Sequence, residues 1–453
     1  MIVMKFGGTS IADAERLRTV AQIVHEQAAR HPLVVVSALD GVTNLLDEAV
    51  RAARRRDREA VAGLMGEVER RHLAAMAAVE DASARQAVAA AIETILAEAL
   101  LLLQGLEILG EATARSLDAV LACGERASSH LLAAVLRARG LPARRVDSRE
   151  FIVTDDRHGS ARPLFGPLVR RCSELLRPLL EDGVLPVAGG FIGATTDGTA
   201  STLGRGGSDL SASLLGAALG ADEIQIWTDE DGMMSADPRV VPQALVLPAV
   251  SFDEAAELAY FGAKVLHPDT IHPALEREIP VRVLNTLRPS SPGTLITRRS
   301  RPAAASAAPV VAIACKRDLT VVTVTSTRML MAHGFLARIF AIFDRHATPV
   351  DLVATSEVSV SLTLDDPRSL RSIVEELAAF STVRVEDGMA IVCMVGEGLL
   401  RRGGVAARAF EALREVNTRM ISLGASEINL SLVVDAADAD MAVRSLHRAF
   451  FES

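Results

Sequence analysis

The residues best suited to chemistry stand near the start of the chain, in the run Lys5-Phe6-Gly7-Gly8-Thr9-Ser10. The apolar run 1–4 before it predicts a buried strand, and the two glycines allow a sharp turn and a close approach to a ligand. Ser10 with Asp13 matches a helix-capping pattern, so we expect a helix to begin here. A strand, a glycine turn and a helix N-terminus together favour anion binding, because free backbone amides point outward.

Lysine usage indicates a special role for Lys5. The chain has 48 Lys+Arg, and only Lys5, Lys264 and Lys316 are lysines. An ammonium is a compact charge that reaches phosphate oxygens through a narrow gap, whereas a guanidinium is a planar fork. We therefore expect Lys5 to contact phosphates. Lys316 has no motif around it, and its position is expected to be accidental.

Three further segments combine glycines with charged residues. Glu125 follows an apolar run at 119–122, Arg205 and Asp209 lie in a glycine-rich run, and Asp229 follows the strand expected at 223–227. Each segment is typical of the end of a buried strand, and strands alternating with helices predict a mostly parallel sheet between helical layers. Because ligands bind at the carboxyl ends of such strands, we expect these residues to converge on one edge of the sheet.

Composition and missing motifs narrow the function. A net charge of -9 argues against a nucleic-acid partner, and apolar runs such as 97–103 are too short to span a membrane. The chain starts directly with a strand, and its four cysteines lie far apart, which predicts a cytoplasmic protein with reduced thiols. Walker A, GxGxxG, HExxH and GxSxG motifs are absent. The function that still fits the glycine-rich segments and their charged residues is phosphoryl transfer to a small zwitterionic substrate.

The C-terminal part of the chain contains an internal repeat. Residues 334–364 align without gaps with residues 404–434 at an offset of 70, including Gly334 with Gly404. A repeat of this kind predicts two similar modules packed together. We expect a catalytic domain at 1–298, a linker at 299–309 and two modules at 310–387 and 388–453. The strand 310–314 is assigned to the first module, with the second module as an open alternative.

Four motifs resemble the aspartate kinases of the amino-acid-kinase superfamily: residues 5–10, 203–209, 227–229 and 261–268. The resemblance covers the whole chain, and its repeat is similar to a tandem of ACT modules. It implies an α/β fold, with a three-layer, mostly parallel kinase domain followed by two α+β ferredoxin-like ACT modules. It also implies ATP- and Mg²⁺-dependent phosphorylation of the β-carboxylate of L-aspartate, the first step towards lysine, threonine and methionine.

The resemblance also assigns roles by position. Arg205 is expected to hold the α-carboxylate of aspartate, Glu125 its α-ammonium, and Asp209 is expected to orient Lys5. The other residues expected to line the aspartate pocket are Ser37, Thr43, Phe191, Gly193 and Ser208. The nucleotide is expected at Lys5, the amides of Gly7 and Gly8, and the side chains of Thr228, Asp229, Met234, Arg239 and Lys264. No protein ligand to the metal is assigned.

The first ACT module most resembles the lysine-sensitive class, which binds its inhibitor between the modules of two subunits. The resemblance therefore implies a homodimer or homotetramer inhibited by L-lysine. The matching positions are Met329, Gly334, Leu336, Val350, Asp351, Thr355 and Ser356. The chain departs from the family pattern at four positions. Met234 replaces a common aromatic residue, Asp40 stands among usually small residues, and Ala332 and Pro349 replace hydroxyl residues.

Two other functions stay open from the sequence. One is a kinase for another small acid, although Arg205 with Glu125 favours an amino acid. The other is a catalytically silent amino-acid sensor, which the intact set of Lys5, Arg205, Asp209 and Lys264 argues against. The sequence does not decide whether the feedback effector is lysine, threonine, methionine or none. It also does not decide whether the chain is fused to a downstream enzyme of the pathway.

Overall fold

The computed structural model describes residues 1–262, 268–298, 309–326, 333–397, 399 and 402–452. These residues form two compact units. The first contains Met1–Met233, Pro248–Phe252 and the described part of 265–300, and the second contains Met234–Leu247, 253–262 and the described residues from 309 onward. The segments at 234–247 and from 253 thus group with the C-terminal residues. Lys264, Met329 and Ala332 lie outside the described residues.

A mostly parallel sheet forms the centre of the first unit. The strands of this unit are β1 (Ile2–Phe6), β2 (Pro32–Val36), β3 (Ala143–Val146), β4 (Val153–Thr154), β5 (Leu185–Gly189), β6 (Ile192–Thr195), β7 (Ala200–Thr202), β8 (Glu223–Thr228), β9 (Ala249–Ser251), β10 (Val281–Asn285) and β11 (Thr294–Thr297). The main sheet has the order β3-β5-β2-β1-β8-β10-β11-β9, in which only the β10–β11 pair is antiparallel. Strands β4, β6 and β7 form a separate small sheet.

Helices cover both faces of the main sheet. They are α1 (Ala14–Glu26), α2 (Val42–Arg54), α3 (Arg58–Ala75), α4 (Ala82–Leu109), α5 (Ala114–Ala138), α6 (Phe165–Leu175), α7 (Arg177–Glu181), α8 (Gly207–Leu219) and α10 (Pro268–Glu276). A further helix, α9 (Phe252–Tyr260), groups from residue 253 onward with the second unit. Helices α1 to α5 share one core with Ile2, Met4 and Phe6 of β1. Helix α8 packs against β1, β2 and β8, and α6 and α10 pack beside it. The predicted three-layer α/β architecture is confirmed.

Helices α4 and α5 are long and apolar enough, by length and composition, to cross a membrane. The core helix of a folded domain passes the same test. Buried residues of α4 follow helical spacing, from Val88 through Ile92, Ile95 and Ala99 to Leu103, so this helix presents one face to the core. In α5, 83% of the most apolar window is buried. The sequence analysis judged interrupted apolar runs such as 97–103, which lies within α4, too short to span a membrane, whereas the whole helices are long enough by this test.

The second unit contains a six-stranded sheet. Its strands are β12 (Ala312–Thr325), β13 (Val353–Thr355), β14 (Ser359–Leu364), β15 (Thr382–Val395), β16 (Thr418–Leu423) and β17 (Asn429–Asp435), in the order β13-β14-β12-β15-β17-β16. Its helices α11 (Phe335–Arg345), α12 (Leu370–Ala378), α13 (Val405–Ala412) and α14 (Ala439–Phe451) cover two cores. Gly334 and Gly404 precede α11 and α13 with φ values of 78° and 87°, so the repeat reproduces this backbone conformation as well.

The two modules share their central strands. The first part of β12, Ala312 to Lys316, pairs with Ile391 to Val395 of β15, and the last part pairs with the beginning of β15. Register shifts near Leu319 separate the two parts. Val310 and Ile313 lie in the core formed by α13 and α14. The strand predicted at 310–314 therefore packs with the second module, and the two α+β modules form one continuous sheet.

Candidate active site

The turn after β1 is anchored by side chains as well as by glycines. Asp13, not Ser10, caps α1, by accepting a hydrogen bond of 2.9 Å from the amide of Arg16. The Ser10 hydroxyl instead lies 3.3 Å from the carbonyl oxygen of Trp227 and 2.7 Å from the hydroxyl of Thr286. The prediction that Ser10 starts the helix was wrong. Its side chain ties the turn to the ends of neighbouring strands.

Side-chain alternation along β1 determines which way Lys5 points. Ile2, Met4 and Phe6 enter the core shared with α1 to α5, so Lys5 faces the opposite layer. Helix α8 lies in that layer, and Asp209 is its third residue. The Lys5 ammonium lies 2.6 Å from Oδ1 of Asp209, with both side chains mostly buried. A fixed ammonium thus stands at the carboxyl end of a central strand.

The two glycines after Lys5 act through their missing side chains. A Cβ at Gly8 would lie 2.9 Å from the carbonyl oxygen of Ala38, so the loop after β2 leaves no room for one. A Cβ at Gly7 would lie 3.5 Å from Nζ of Lys5 and would fill the space beside the ammonium. The Gly7 amide donates to the carbonyl of Trp227 at 3.2 Å. The prediction that this amide is available to a phosphate was therefore wrong.

Glu125 lies on a helix and not at the end of a strand. Residues 119–122 belong to α5, whose buried residues include Val120, Leu121 and Ala122. A helix that is buried on most sides has no polar stripe, so its apolar run was mistaken for a strand. Gly124 lets α5 approach the loop after β2, because a Cβ there would lie 2.9 Å from Cβ of Ala38. The sequence predicted Glu125 as a site residue but did not predict that it lies on α5.

The carboxyl group of Glu125 is buried and under-paired. The residue is 3% exposed, and its Oε2 has no hydrogen-bond partner among the described residues. Burial raises the pKa of this carboxyl to about 8, and hydrogen bonds from the backbone amides of Ala38 and Glu125 itself oppose the rise only in part. A buried carboxylate without a partner is unfavourable. The site therefore favours a cationic ligand group beside Glu125.

The predicted residues surround a single cavity of about 270 Å³. Its lining consists of Lys5, Ser37, Thr43, Glu125, Phe191, Gly204, Gly206, Gly207, Ser208 and Asp209. Arg205 stands between two of the lining glycines with an exposed side chain. Gly193 is buried in β6, where a Cβ would lie 2.6 Å from the carbonyl oxygen of Ile152. Most of the predicted aspartate residues are thus brought together.

Phe191 forms one wall with an unusual backbone. Its φ is 66°, in the left-handed region that few non-glycine residues adopt. The Phe191 amide donates to the Ser211 hydroxyl at 3.0 Å, and its carbonyl accepts from Leu203 at 2.9 Å. A Cβ at Gly207 would lie 2.7 Å from the Phe191 ring, so only a glycine fits at the start of α8. These contacts fix the wall of the cavity.

The predicted nucleotide residues fall into three groups. Thr228 and Asp229 follow β8 beside the glycine turn, with Oδ1 of Asp229 lying 3.4 Å from the Thr9 hydroxyl and 3.1 Å from the Thr228 hydroxyl. Met234 and Arg239 belong to the second unit, where Arg239 lies 2.6 Å from Asp237. Lys264 lies outside the described residues. The nucleotide roles of all these residues remain predictions.

Among the described residues, no group of three or more His, Cys, Asp or Glu side chains could hold a metal ion. Mg²⁺ usually keeps several waters and binds phosphate oxygens with at most one or two carboxylates, so the site fits an ion that arrives with a nucleotide.

Sequence reasoning missed one buried acid of this region, Asp118. Its signal was an acid two helical turns before Glu125 within an apolar stretch.

Comparison with known proteins agrees with this architecture. The model of the amino acid kinase family matches residues 1–285, and an ACT domain model matches residues 392–450. Aspartokinase 1, chloroplastic, of Arabidopsis thaliana is 40% identical over 100% of this chain and 80% of its own length. Lysine-sensitive aspartokinase 3 of Escherichia coli (strain K12) is 38% identical over 100% and 99%.

A solved structure extends the match to three dimensions. The crystal structure of Escherichia coli aspartokinase III in complex with aspartate and ADP superposes with a TM-score of 0.87 at 37% identity, covering 100% of both chains. Sequence identity and fold therefore agree along the entire length, and the two family models agree over residues 1–285 and 392–450. The chain belongs to the aspartokinase family of amino acid kinases.

Proposed function

We propose that the protein transfers the γ-phosphoryl group of ATP to the β-carboxylate of L-aspartate, forming 4-phospho-L-aspartate and ADP. One observation carries the proposal: a single small cavity holds the buried, under-paired carboxyl of Glu125 and the fixed ammonium of Lys5. The related Escherichia coli enzyme was solved with aspartate and ADP, which supports the same substrates here.

The cavity favours a small amino acid. Its volume of about 270 Å³ is below the usual range for drug-sized ligands. Glu125 would pair with the α-ammonium, and Arg205 would turn inward to hold the α-carboxylate with a bidentate contact. With the amino-acid head held at both charges, the side-chain carboxylate would point towards Lys5. No second function is favoured by any observation.

The charges of the site explain how the reaction proceeds without a general base. The β-carboxylate of aspartate is ionised at neutral pH, so no proton has to be removed before it attacks. The difficulty is repulsion, because two unit charges ~4 Å apart interact by roughly 4 kcal/mol at an effective dielectric constant near 20. Lys5, held in place by Asp209, would offset this repulsion and stabilise the transferring group. Bound Mg²⁺ would supply further neutralisation of phosphate charge.

The direct test is ADP release with Mg-ATP and L-aspartate. Turnover that depends on aspartate and yields an acyl phosphate trapped by hydroxylamine would support the proposal. Turnover only with another small acid would point to a different kinase of the same superfamily. No turnover with any amino acid would overturn the catalytic proposal and leave the sensor interpretation.

The pKa of Glu125 predicts a pH dependence of aspartate binding. In the free protein this carboxyl is protonated below pH about 8, yet an ammonium requires the carboxylate. Binding therefore releases a proton, and the KM for aspartate should fall by about 20-fold as the pH rises from about 6.5 to about 8.5. Initial rates at varied aspartate and fixed saturating ATP measure this change. A KM that stays flat over this range would contradict the prediction.

We also propose that L-lysine inhibits the enzyme through the first ACT module, as the name of the Escherichia coli relative suggests for that protein. Asp351 is the predicted acidic residue of this site, and its side chain is 5% exposed. Lys316 lies 3.2 Å from Asp351 and 2.6 Å from Asp365, and its ammonium stands 4.5 Å above the ring of Tyr260. The expectation that Lys316 is placed accidentally was wrong.

The contacts of Asp351 bear on how an inhibitor would bind. Tyr260 donates a hydrogen bond to the same carboxylate, and burial raises the pKa of Asp351. An ammonium from the chain itself thus already occupies the position proposed for the inhibitor. Inhibitor binding would have to share Asp351 with Lys316 or displace it. The proposed contacts of Gly334, Leu336, Val350, Thr355 and Ser356 remain predictions.

Replacing Asp351 by asparagine should weaken lysine inhibition. Because the ammonium would lose a charged partner, the lysine concentration for half inhibition should rise by about tenfold or more, with kcat nearly unchanged. Asp366→Asn is the matched control, since this half-buried acid of the same module pairs only with Arg368 among its described contacts. Equal inhibition of wild type and Asp351→Asn would exclude Asp351 from the site.

The homodimer or homotetramer also remains a proposal. Strand β13 lies at one edge of the second sheet, and the same module carries exposed apolar side chains at Leu336, Phe340, Val353 and Val358. An edge strand and exposed apolar side chains in one module favour pairing with a second copy. The cytoplasmic location is likewise a proposal. The free thiols agree with a reducing compartment, whereas the Arabidopsis relative is a chloroplastic protein.

A further inference from the structure

Asp118 is a fully buried carboxylate on α5 that is not among the described residues lining the cavity. Three donors surround it. The Thr202 hydroxyl donates to Oδ1 at 2.5 Å, the Gly159 amide lies 3.1 and 3.0 Å from the two oxygens, and Nδ1 of His158 lies 2.8 Å from Oδ2. A buried charge needs such partners, and it fixes them in return.

The partners of Asp118 belong to the two segments that support Arg205. Thr202 ends β7, three residues before Arg205, and its carbonyl accepts a hydrogen bond of 2.9 Å from an amide of the loop 155–163. A Cβ at Gly204 would lie 3.3 Å from the carbonyl oxygen of Gly159. The turn that presents Arg205 therefore rests on a loop that Asp118 anchors.

The same helix carries Glu125. Seven residues separate Asp118 from Glu125, which is two helical turns, so the two acids lie on one face about 10 Å apart along the axis. Helix α5 is packed tightly here, since a Cβ at Gly124 would lie 2.9 Å from Cβ of Ala38. Helix α5 thus carries Glu125, which is proposed to bind the α-ammonium. It also carries Asp118, which anchors the turn of Arg205, the residue proposed to bind the α-carboxylate.

We infer that Asp118 is a positioning residue for amino-acid recognition, which holds the turn of Arg205 at a fixed distance from Glu125. The inference rests on the proposed function. Asp118 acts through Thr202 and Gly159 and touches no substrate. Its loss would leave Lys5 and Asp209 in place but would free the turn that carries the guanidinium. The substrate would then bind less tightly, while the chemistry of the bound substrate would change little.

The test is steady-state kinetics of the full-length protein carrying Asp118→Ala, Asp118→Asn or Thr202→Val. Asp118→Ala should raise the KM for aspartate by about 30-fold, with kcat within about threefold and the KM for ATP unchanged. Asp118→Asn and Thr202→Val remove fewer contacts and should shift the same KM in the same direction by less. They also keep the test valid if Asp118→Ala does not fold.

Asp147→Asn is the matched control, because Asp147 is also buried in this unit but pairs with Arg145 and Arg149. It should lower thermal stability without a change in the KM for aspartate. If the Asp118 variants behave like this control, with lower stability and an unchanged KM, the residue is merely structural and the inference fails. Absence of aspartate turnover in the wild type would instead overturn the proposed function.

A double-mutant cycle tests the route through Arg205. If Asp118 acts by placing that guanidinium, adding Asp118→Ala to Arg205→Ala should raise the KM for aspartate by less than about threefold further. The same addition to Glu125→Gln should keep most of its effect, because Glu125 contacts a different charge of the substrate. Full additivity with Arg205→Ala would overturn the inference.

Discussion

Replacing Lys5 by alanine is expected to lower kcat by ~10²–10³-fold, as the loss of one preorganised electrostatic donor does. The ammonium faces the cavity from the end of β1 and lies 2.6 Å from Asp209, so no other described cation holds this position. Removing it leaves the carboxylate of Asp209 without its partner and the transferring group without a neighbouring positive charge. Initial rates at saturating Mg-ATP and aspartate measure the loss.

Two further variants show whether the ammonium itself matters. Lys5→Arg keeps the charge but brings a planar fork into the space that Gly7 leaves open, so kcat should stay well below that of the wild type. Arg144→Ala removes an exposed cation from β3, at the edge of the same sheet, and should change nothing. An unchanged kcat in Lys5→Ala would remove Lys5 from the mechanism.

Glu125→Gln should raise the KM for aspartate by about 100-fold, because a neutral amide cannot replace a buried carboxylate opposite an ammonium. The value of kcat at saturating aspartate should fall much less, since Lys5 and Asp209 are untouched. Kinetics at varied aspartate separate the two effects. Glu26→Gln, on the exposed end of α1, is the control and should leave both constants unchanged. A KM within about twofold of the wild type would exclude Glu125 from aspartate binding.

The same variant should change how stability depends on pH. Folding raises the pKa of Glu125 from 4.5 to about 8, so the folded state binds a proton that the unfolded state releases. The favourable contribution is complete below pH about 4.5 and is lost as the pH rises to about 8, a change of roughly 5 kcal/mol. Ligand-free Glu125→Gln should therefore be more stable than the wild type at pH about 8.5, but not at pH about 5. Thermal unfolding at the two pH values measures the difference.

The prediction of the fold from sequence succeeded where spacing carries physical information. The apolar runs of β1, β2 and β5 predict buried parallel strands because both faces of such strands are covered. The offset of 70 predicted the two modules, and the structure shows them with matching glycine caps before α11 and α13. The sharing of β12 and β15 between the modules was not predictable, since pairing across modules leaves no periodic signal.

The site was harder to predict than the fold, for reasons visible at single residues. Lys5 and Asp209 are 204 residues apart in sequence, and a motif suggested each, but only the register of β1 against α8 brings them together. Glu125 was predicted as a site residue, but it was placed after a strand and lies on α5. A helix buried on most sides resembles a strand in its apolar content. Lys316 lies in no motif, and Asp118 had only its spacing from Glu125 as a signal, while the partners of both are distant in sequence.

The two long central strands of the second unit have a consequence for folding. Each module takes one half of β12 and one half of β15 as the two central strands among its own four strands. The pairing between β12 and β15 continues on both sides of the register shifts near Leu319, so no linker separates the modules within these two strands. The two modules keep separate cores but are built on the same two continuous strands, so we expect unfolding of one module to fray the central strands of the other.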